Sequence, residues 1–243
     1  MNKGTFWKII DTANASVADR QDLGAVLNAT EKELMKLPAA EIASWHQLKH
    51  FYFVLADRPE LWAACAAINA SGEDYEFADF RSWLIAQGHE VYLRTLHDPD
   101  SLADLDIPAG SANFESFYYT GHELYAMKKE LESKEPEAIF LACIKWTAEN
   151  ITEIYDFYNM YNMDQRAKID TLAYEHLDDL TNEHDIYQDA HIRELSEEVL
   201  ADILSEIHLG PKMEQLGLDD LPYIVPRLYQ KYEAEQEFEQ GDE

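Results

Sequence analysis

The 243-residue chain carries 48 Asp and Glu against 19 Lys and Arg, a formal net charge of −29. Hydrophobic residues make up 47% and aromatics 12%, too much apolar side chain for a disordered chain, so the charge is expected on the surface of a folded core. Such a surface repels phosphate backbones and anionic headgroups; it disfavours direct nucleic-acid or membrane binding and favours fast, salt-sensitive association with a basic protein partner.

Residues 1–11 lack the basic start and continuous apolar run of a signal peptide, and no stretch approaches the roughly 18 apolar residues of a membrane span. Cys65 and Cys143 sit in the apolar runs LWAACAAI and IFLACIKW, as small core residues rather than a disulfide framework. A reducing cytoplasmic setting is therefore expected.

In chain order, Ile42, Trp45, Leu48, Tyr52 and Leu55 form one helical stripe, and Leu61, Trp62, Cys65 and Ile68 a second, with Pro38 and Pro59 just inside the helix starts. Ser71 with Asp74 has the spacing of a capping box ahead of a helix carrying Phe77, Phe80, Leu84 and Val91. Residues 98–113, rich in Asp, Pro, Gly and Ser, read as a hinge. Between Pro136 and Gly210, 73 residues contain neither Gly nor Pro, and Phe140, Ile144, Thr147, Ile151, Ile154, Tyr158 and Tyr161 keep one stripe along a long helix.

Alternating strand patterns are missing, so the sequence predicts an all-α protein. A helical lobe over 1–107 is expected to pack its core around Trp7, Trp45, Trp62, Phe80 and Trp83. Against it would lie an acidic, Tyr-rich long-helix lobe over 108–232, followed by a frayed acidic tail at 233–243. Acidity is concentrated in the back half: 9 basic and 17 acidic residues lie in the chain through Ile107, and 10 and 31 follow it.

The run LWAACAAIN, then SGEDYEFADFRSWLIAQGHEVY, then DPDSLADL, between Leu61 and Leu105, resembles the bacterial domain-of-unknown-function 4240 family. Phe6-Trp7 and LMKLPAAEI (Leu34 to Ile42) are similar to earlier landmarks of that family, and DDLPYIVPRLYQKY (Asp219 to Tyr232) to its closing segment. The resemblance covers residues 4–107 most clearly; residues 133–207 read as an inserted or appended helical module. It implies a family fold and a bacterial or phage setting, and transfers no catalytic residue.

Arg81 falls on the apolar face of the Phe77 helix and must find acceptors there, because an unpaired buried ion costs several kcal/mol. One reading makes it a structural clamp on the Asp98-Pro99-Asp100 loop, so that Arg81→Ala would cost roughly 3 to 5 kcal/mol. The other places it in an anion site lined by Trp83, Gln87 and Asn69. His176, His184 and His191 with Glu183 are weak metal candidates, lacking any spaced ligand motif, and no metal or other cofactor is expected. Glu149, Glu153 and Asp156 read as a solvated face. Tyr155, Tyr158 and Tyr161 are candidate interface anchors.

Nucleophile elbows, phosphate loops and Cys-His signatures are all missing. The sequence therefore points to a protein-binding module of inhibitor, immunity or adaptor type that uses an acidic helical surface, with nucleic-acid mimicry as one version. The alternative is an enzyme or small-anion receptor centred on Arg81; oligomeric state is not legible.

Overall fold

The computed structural model describes residues 1–133, 195–207, 209 and 216–240. These residues are helical, with no strand among them, as expected for an all-α chain. The helices are α1 (Lys3–Ser16), α2 (Leu23–Leu34), α3 (Ala39–Leu55), α4 (Pro59–Asn69), α5 (Asp74–Ala86), α6 (His89–His97), α7 (Glu115–Ser133), α8 (Glu197–Leu204), α9 (Leu221–Ile224) and α10 (Pro226–Gln240). A 3-10 turn spans Pro99–Asp104. No described helix is long and apolar enough to cross a membrane.

Two compact units interleave along the chain. One gathers Met1–Thr30, Leu48–Tyr119 and the described residues from Leu195 on; the other gathers Glu31–Gln47 and, of Thr120–Glu194, the described residues 120–133. The closing segment Asp219 to Tyr232 thus belongs with the N-terminal helices. The hinge expected over 98–113 lies inside the first unit, where the Gly110 N–H donates to the Ile68 carbonyl. Asn69 brackets Ala112, its Nδ2 donating to the Ala112 carbonyl at 3.0 Å and its Oδ1 accepting from the Ala112 N–H at 3.1 Å.

In the first unit an aromatic core forms where Phe6 and Trp7 of α1 meet Tyr52 of α3 and Tyr92 of α6, all essentially inaccessible to water. Phe6 stacks on Tyr52 at 5.1 Å, Trp7 tilts against it at 4.7 Å, and the Tyr92 hydroxyl donates to the Tyr52 carbonyl at 2.6 Å. Burial pushes both tyrosine hydroxyls well above their ordinary pKa. In the second unit Leu34, Ile42 and Trp45 are buried, and Gly121 lets α7 approach His46 so closely that a Cβ there would stand 2.7 Å from the imidazole.

Several local expectations are corrected. Trp62 is only half-buried: its indole N–H donates to the Gly72 carbonyl at 3.0 Å at the edge of the unit. Pro38 stands just before α3, its carbonyl accepting from Glu41 and Ile42, whereas Pro59 does open α4. The Ser71 capping box is not formed, since Glu73 occupies the cap position and Ser71 Oγ accepts instead from the Glu73 N–H. The helix expected from Phe77 to Val91 is two helices, α5 and α6, broken at Gly88. There φ is +95°, and a Cβ would lie 2.5 Å from the Asp11 carboxylate that accepts from the His89 N–H. Where a frayed tail was expected from Glu233, α10 continues to Gln240.

The DPD turn receives the closing helix. Val225 and Pro226 carry no side-chain acceptor for the first N–H groups of α10, and Asp100, 8% exposed, supplies one. Its Oδ1 accepts from the Arg227 N–H at 3.0 Å and from the Leu228 N–H at 2.9 Å. Lys231 Nζ donates to the Leu105 carbonyl at 2.6 Å, the Tyr232 hydroxyl to the Ile107 carbonyl at 2.8 Å, and Arg227 pairs with Asp104.

Candidate binding site

Arg81 projects from the middle of α5, one helical turn beyond Phe77, so the two side chains share a face. Its guanidinium lies 4.8 Å from the centre of the Phe77 ring and 4.0 Å from that of Phe53, which α3 brings to the other side. Nη1 stands 3.5 Å from Asp57 Oδ1, on an aspartate whose side chain is 64% exposed, and Nε is buried without a hydrogen-bond partner. Burial weakens the guanidinium's hold on its proton, opposed mainly by the Asp57 charge.

The expected clamp on the DPD loop is therefore not formed. Asp100 is committed to α10, and Asp98 is exposed, its backbone carbonyl accepting from the Ser101 N–H. Arg81 is held by the aromatic faces of Phe53 and Phe77 and by one exposed carboxylate, that of Asp57.

Beside Arg81 opens a cavity of about 440 Å³ lined by Phe53 of α3, Tyr75, Ala78, Asp79 and Arg81 of α5, and Glu115, Tyr118 and Tyr119 of the first turn of α7. Two contacts fix that turn. The Phe114 N–H donates to the Asp79 carbonyl at 3.1 Å, and the buried Lys49 reaches the Phe117 carbonyl at 2.8 Å and also the Tyr118 carbonyl. Tyr118 meets Phe53 and Tyr119 edge to face, each at 5.1 Å. Tyr75 and Tyr119 expose 66% and 47% of their surface. Asp79 has its carboxyl pushed up by partial burial and by the neighbouring Glu115 and Glu76 charges.

Trp83 and Gln87 do not join this site. They line a second cavity of about 540 Å³, between the connection from α1 to α2, the end of α5 and the loop after the 3-10 turn. Asn69 is the bracket on Ala112, so the pocket expected from Arg81, Trp83, Gln87 and Asn69 is distributed over three places. Tyr155, Tyr158, Tyr161, His176, Glu183, His184, His191, Cys143, Glu149, Glu153 and Asp156 lie outside the described residues. Among the described residues no group of three or more His, Cys, Asp or Glu is placed to hold a metal ion.

The family described as Protein of unknown function (DUF4240) matches residues 1–127. The chain belongs to this family. No curated protein and no solved structure matches it. Every residue lining either cavity falls within the stretch matched to DUF4240, whereas α10, which docks on the DPD turn, lies beyond it.

The sequence held partial signals for the residues not foreseen. Phe77 and Arg81 at a spacing of four announce a possible stack. Tyr75 within GEDYEF and the pair Tyr118-Tyr119 mark aromatic side chains beside acids. Phe53 and Glu115 enter only through the packing of α3 and α7 on α5.

Proposed function

We propose that the protein is a protein-binding module that takes a basic side chain of its partner into the cavity beside Arg81. The observation that carries this reading is the lining itself: Tyr75, Tyr118 and Tyr119 stand with the carboxylates of Asp79 and Glu115. Tyrosine faces attract cations, and partly desolvated carboxylates strengthen the attraction. The Asp79 carboxyl is raised first by partial burial and then by the neighbouring Glu115 and Glu76 charges, and an incoming ammonium or guanidinium would offset both penalties on its ionised form. Rigid tyrosines at the rim suit anchoring at low entropic cost, and the overall charge of −29 steers a basic partner toward the protein.

A small anion is less well served. Arg81 is one positive charge facing two carboxylates in the lining; its faces are already covered by Phe53 and Phe77, and Asp57 sits at Nη1.

The test uses a fluorescein-labelled peptide rich in arginine and lysine and the double variant Asp79→Asn/Glu115→Gln. The variant should bind at least about tenfold more weakly, and wild-type binding should weaken as salt rises. Equal affinity of the two proteins for the peptide would defeat the assignment of the cavity as the basic-residue site.

A further inference from the structure

The second cavity has a different chemistry. Its floor is apolar, made by Leu23, Trp83, Val91, Leu105, Ile107 and Pro108. Trp83 is stacked on Phe80 at 5.6 Å, which fixes the indole as a rigid wall. The rim carries Asp19, Arg20, Gln21, Gln87, Asp106 and Ser111. At about 540 Å³ the space falls within the usual range of small-molecule sites.

The polar rim can be read group by group. Arg20 Nη2 donates to the Gln87 carbonyl at 2.5 Å, which ties the guanidinium to another residue of the lining. It forms no ion pair among the described residues, although the chain holds 48 acids. Gln21 spends its amide nitrogen on the Asp106 carbonyl at 3.0 Å and Gln87 spends its own on the Trp83 carbonyl at 3.3 Å, so both amides have oxygen left to offer as acceptors. Asp19 Oδ1 accepts from the Gln21 N–H at 2.9 Å, and neither Asp19 nor Asp106 has a cationic side chain as an ion-pair partner among the described residues. One rim thus presents a guanidinium and two carboxylates without ion-pair partners among the described residues, and surplus acceptors, around an apolar floor.

A purely anionic ligand would meet Asp19 and Asp106, and a purely cationic one would meet Arg20. A zwitterion satisfies both signs, its carboxylate on Arg20 and its ammonium on the aspartates and amide oxygens, while an apolar side chain covers the Trp83 floor. We propose that this cavity binds a free α-amino acid with a large apolar side chain. The site is separate from the tyrosine-lined cavity and does not depend on the partner-binding reading.

Phenylalanine is the probe, titrated into the full chain by isothermal calorimetry, with N-acetylphenylalanine, phenylalaninamide and glycine as comparison ligands. Phenylalanine should bind, and removal of the ammonium, the carboxylate or the side chain should each weaken binding by about tenfold or more. Arg20→Leu and Asp106→Asn, both at exposed positions, should lose phenylalanine binding while keeping the wild-type circular dichroism spectrum and melting temperature. Absence of phenylalanine binding up to about 10 mM would overturn the proposal. So would equal binding of the N-acetyl or amide forms, or binding that survives both substitutions, because the cavity would then read no zwitterion.

Discussion

Asp100 offers a sharp test of how the chain is closed. Its carboxylate, contributed by the 3-10 turn, serves the first N–H groups of a helix that begins 126 residues later. Replacing it with alanine removes the acceptor for the Arg227 and Leu228 N–H groups, of which the latter bond is buried. Loss of a helix-capping side chain costs about 0.5 to 2 kcal/mol, and a buried donor left unpaired costs about 1 to 3 kcal/mol. The two overlap, so Asp100→Ala should lower stability by about 2 to 3 kcal/mol. Asp100→Asn keeps an acceptor but loses the negative charge at the helix N-terminus, and should cost about 1 kcal/mol. Asp98→Ala, two residues away and exposed, should cost less than about 0.5 kcal/mol. Urea denaturation midpoints at constant slope measure all three. An Asp100→Ala midpoint equal to that of Asp98→Ala would refute the view that this carboxylate holds α10 in place.

Arg81→Ala should cost only about 1 to 2 kcal/mol, since it removes two aromatic stacks and a pair with an exposed aspartate and strands no buried acid; Arg81→Lys should recover little, and a loss above about 4 kcal/mol would contradict this. The folded state holds the Asp79 proton more tightly than the unfolded chain does, so ionising Asp79 is destabilising at neutral pH. Asp79→Asn should therefore raise the melting temperature near neutrality, and the gain should shrink as pH falls toward the ordinary value of 3.8; a gain that grows on acidification would be the wrong sign. Burial pushes the Cys65 thiol up to about 12, so in a Cys143→Ser background it should resist a disulfide thiol reagent at about pH 8 until urea unfolds the protein, and rapid labelling of the native state would count against its burial.

The helices were legible because their apolar residues repeat at helical spacing, and Ile42, Leu48, Tyr52, Phe80 and Leu84 are indeed buried. The break at Gly88 was not, because Gln87 and Gly88 do not interrupt the apolar period; the left-handed turn is set by packing against Asp11 on α1. Likewise the partners of Asp100 come from a helix more than a hundred residues on, which local spacing does not reveal. The candidate site was half legible. Arg81 stood out on an apolar face, but a guanidinium can be satisfied by rings as well as by acids, and only the meeting of α3 with α5 decides between them.

If the tyrosine-lined cavity, rather than overall acidity, receives a basic side chain, filling that cavity must weaken binding. Ala78→Trp separates the two, since the substitution fills the cavity and leaves every charge in place. Fluorescence anisotropy of the labelled arginine-lysine peptide, titrated with wild type and with a variant shown to melt cooperatively, should give at least about a tenfold loss of affinity for Ala78→Trp. Identical binding curves would mean that the peptide responds only to the charge of −29 and that the cavity takes no basic side chain.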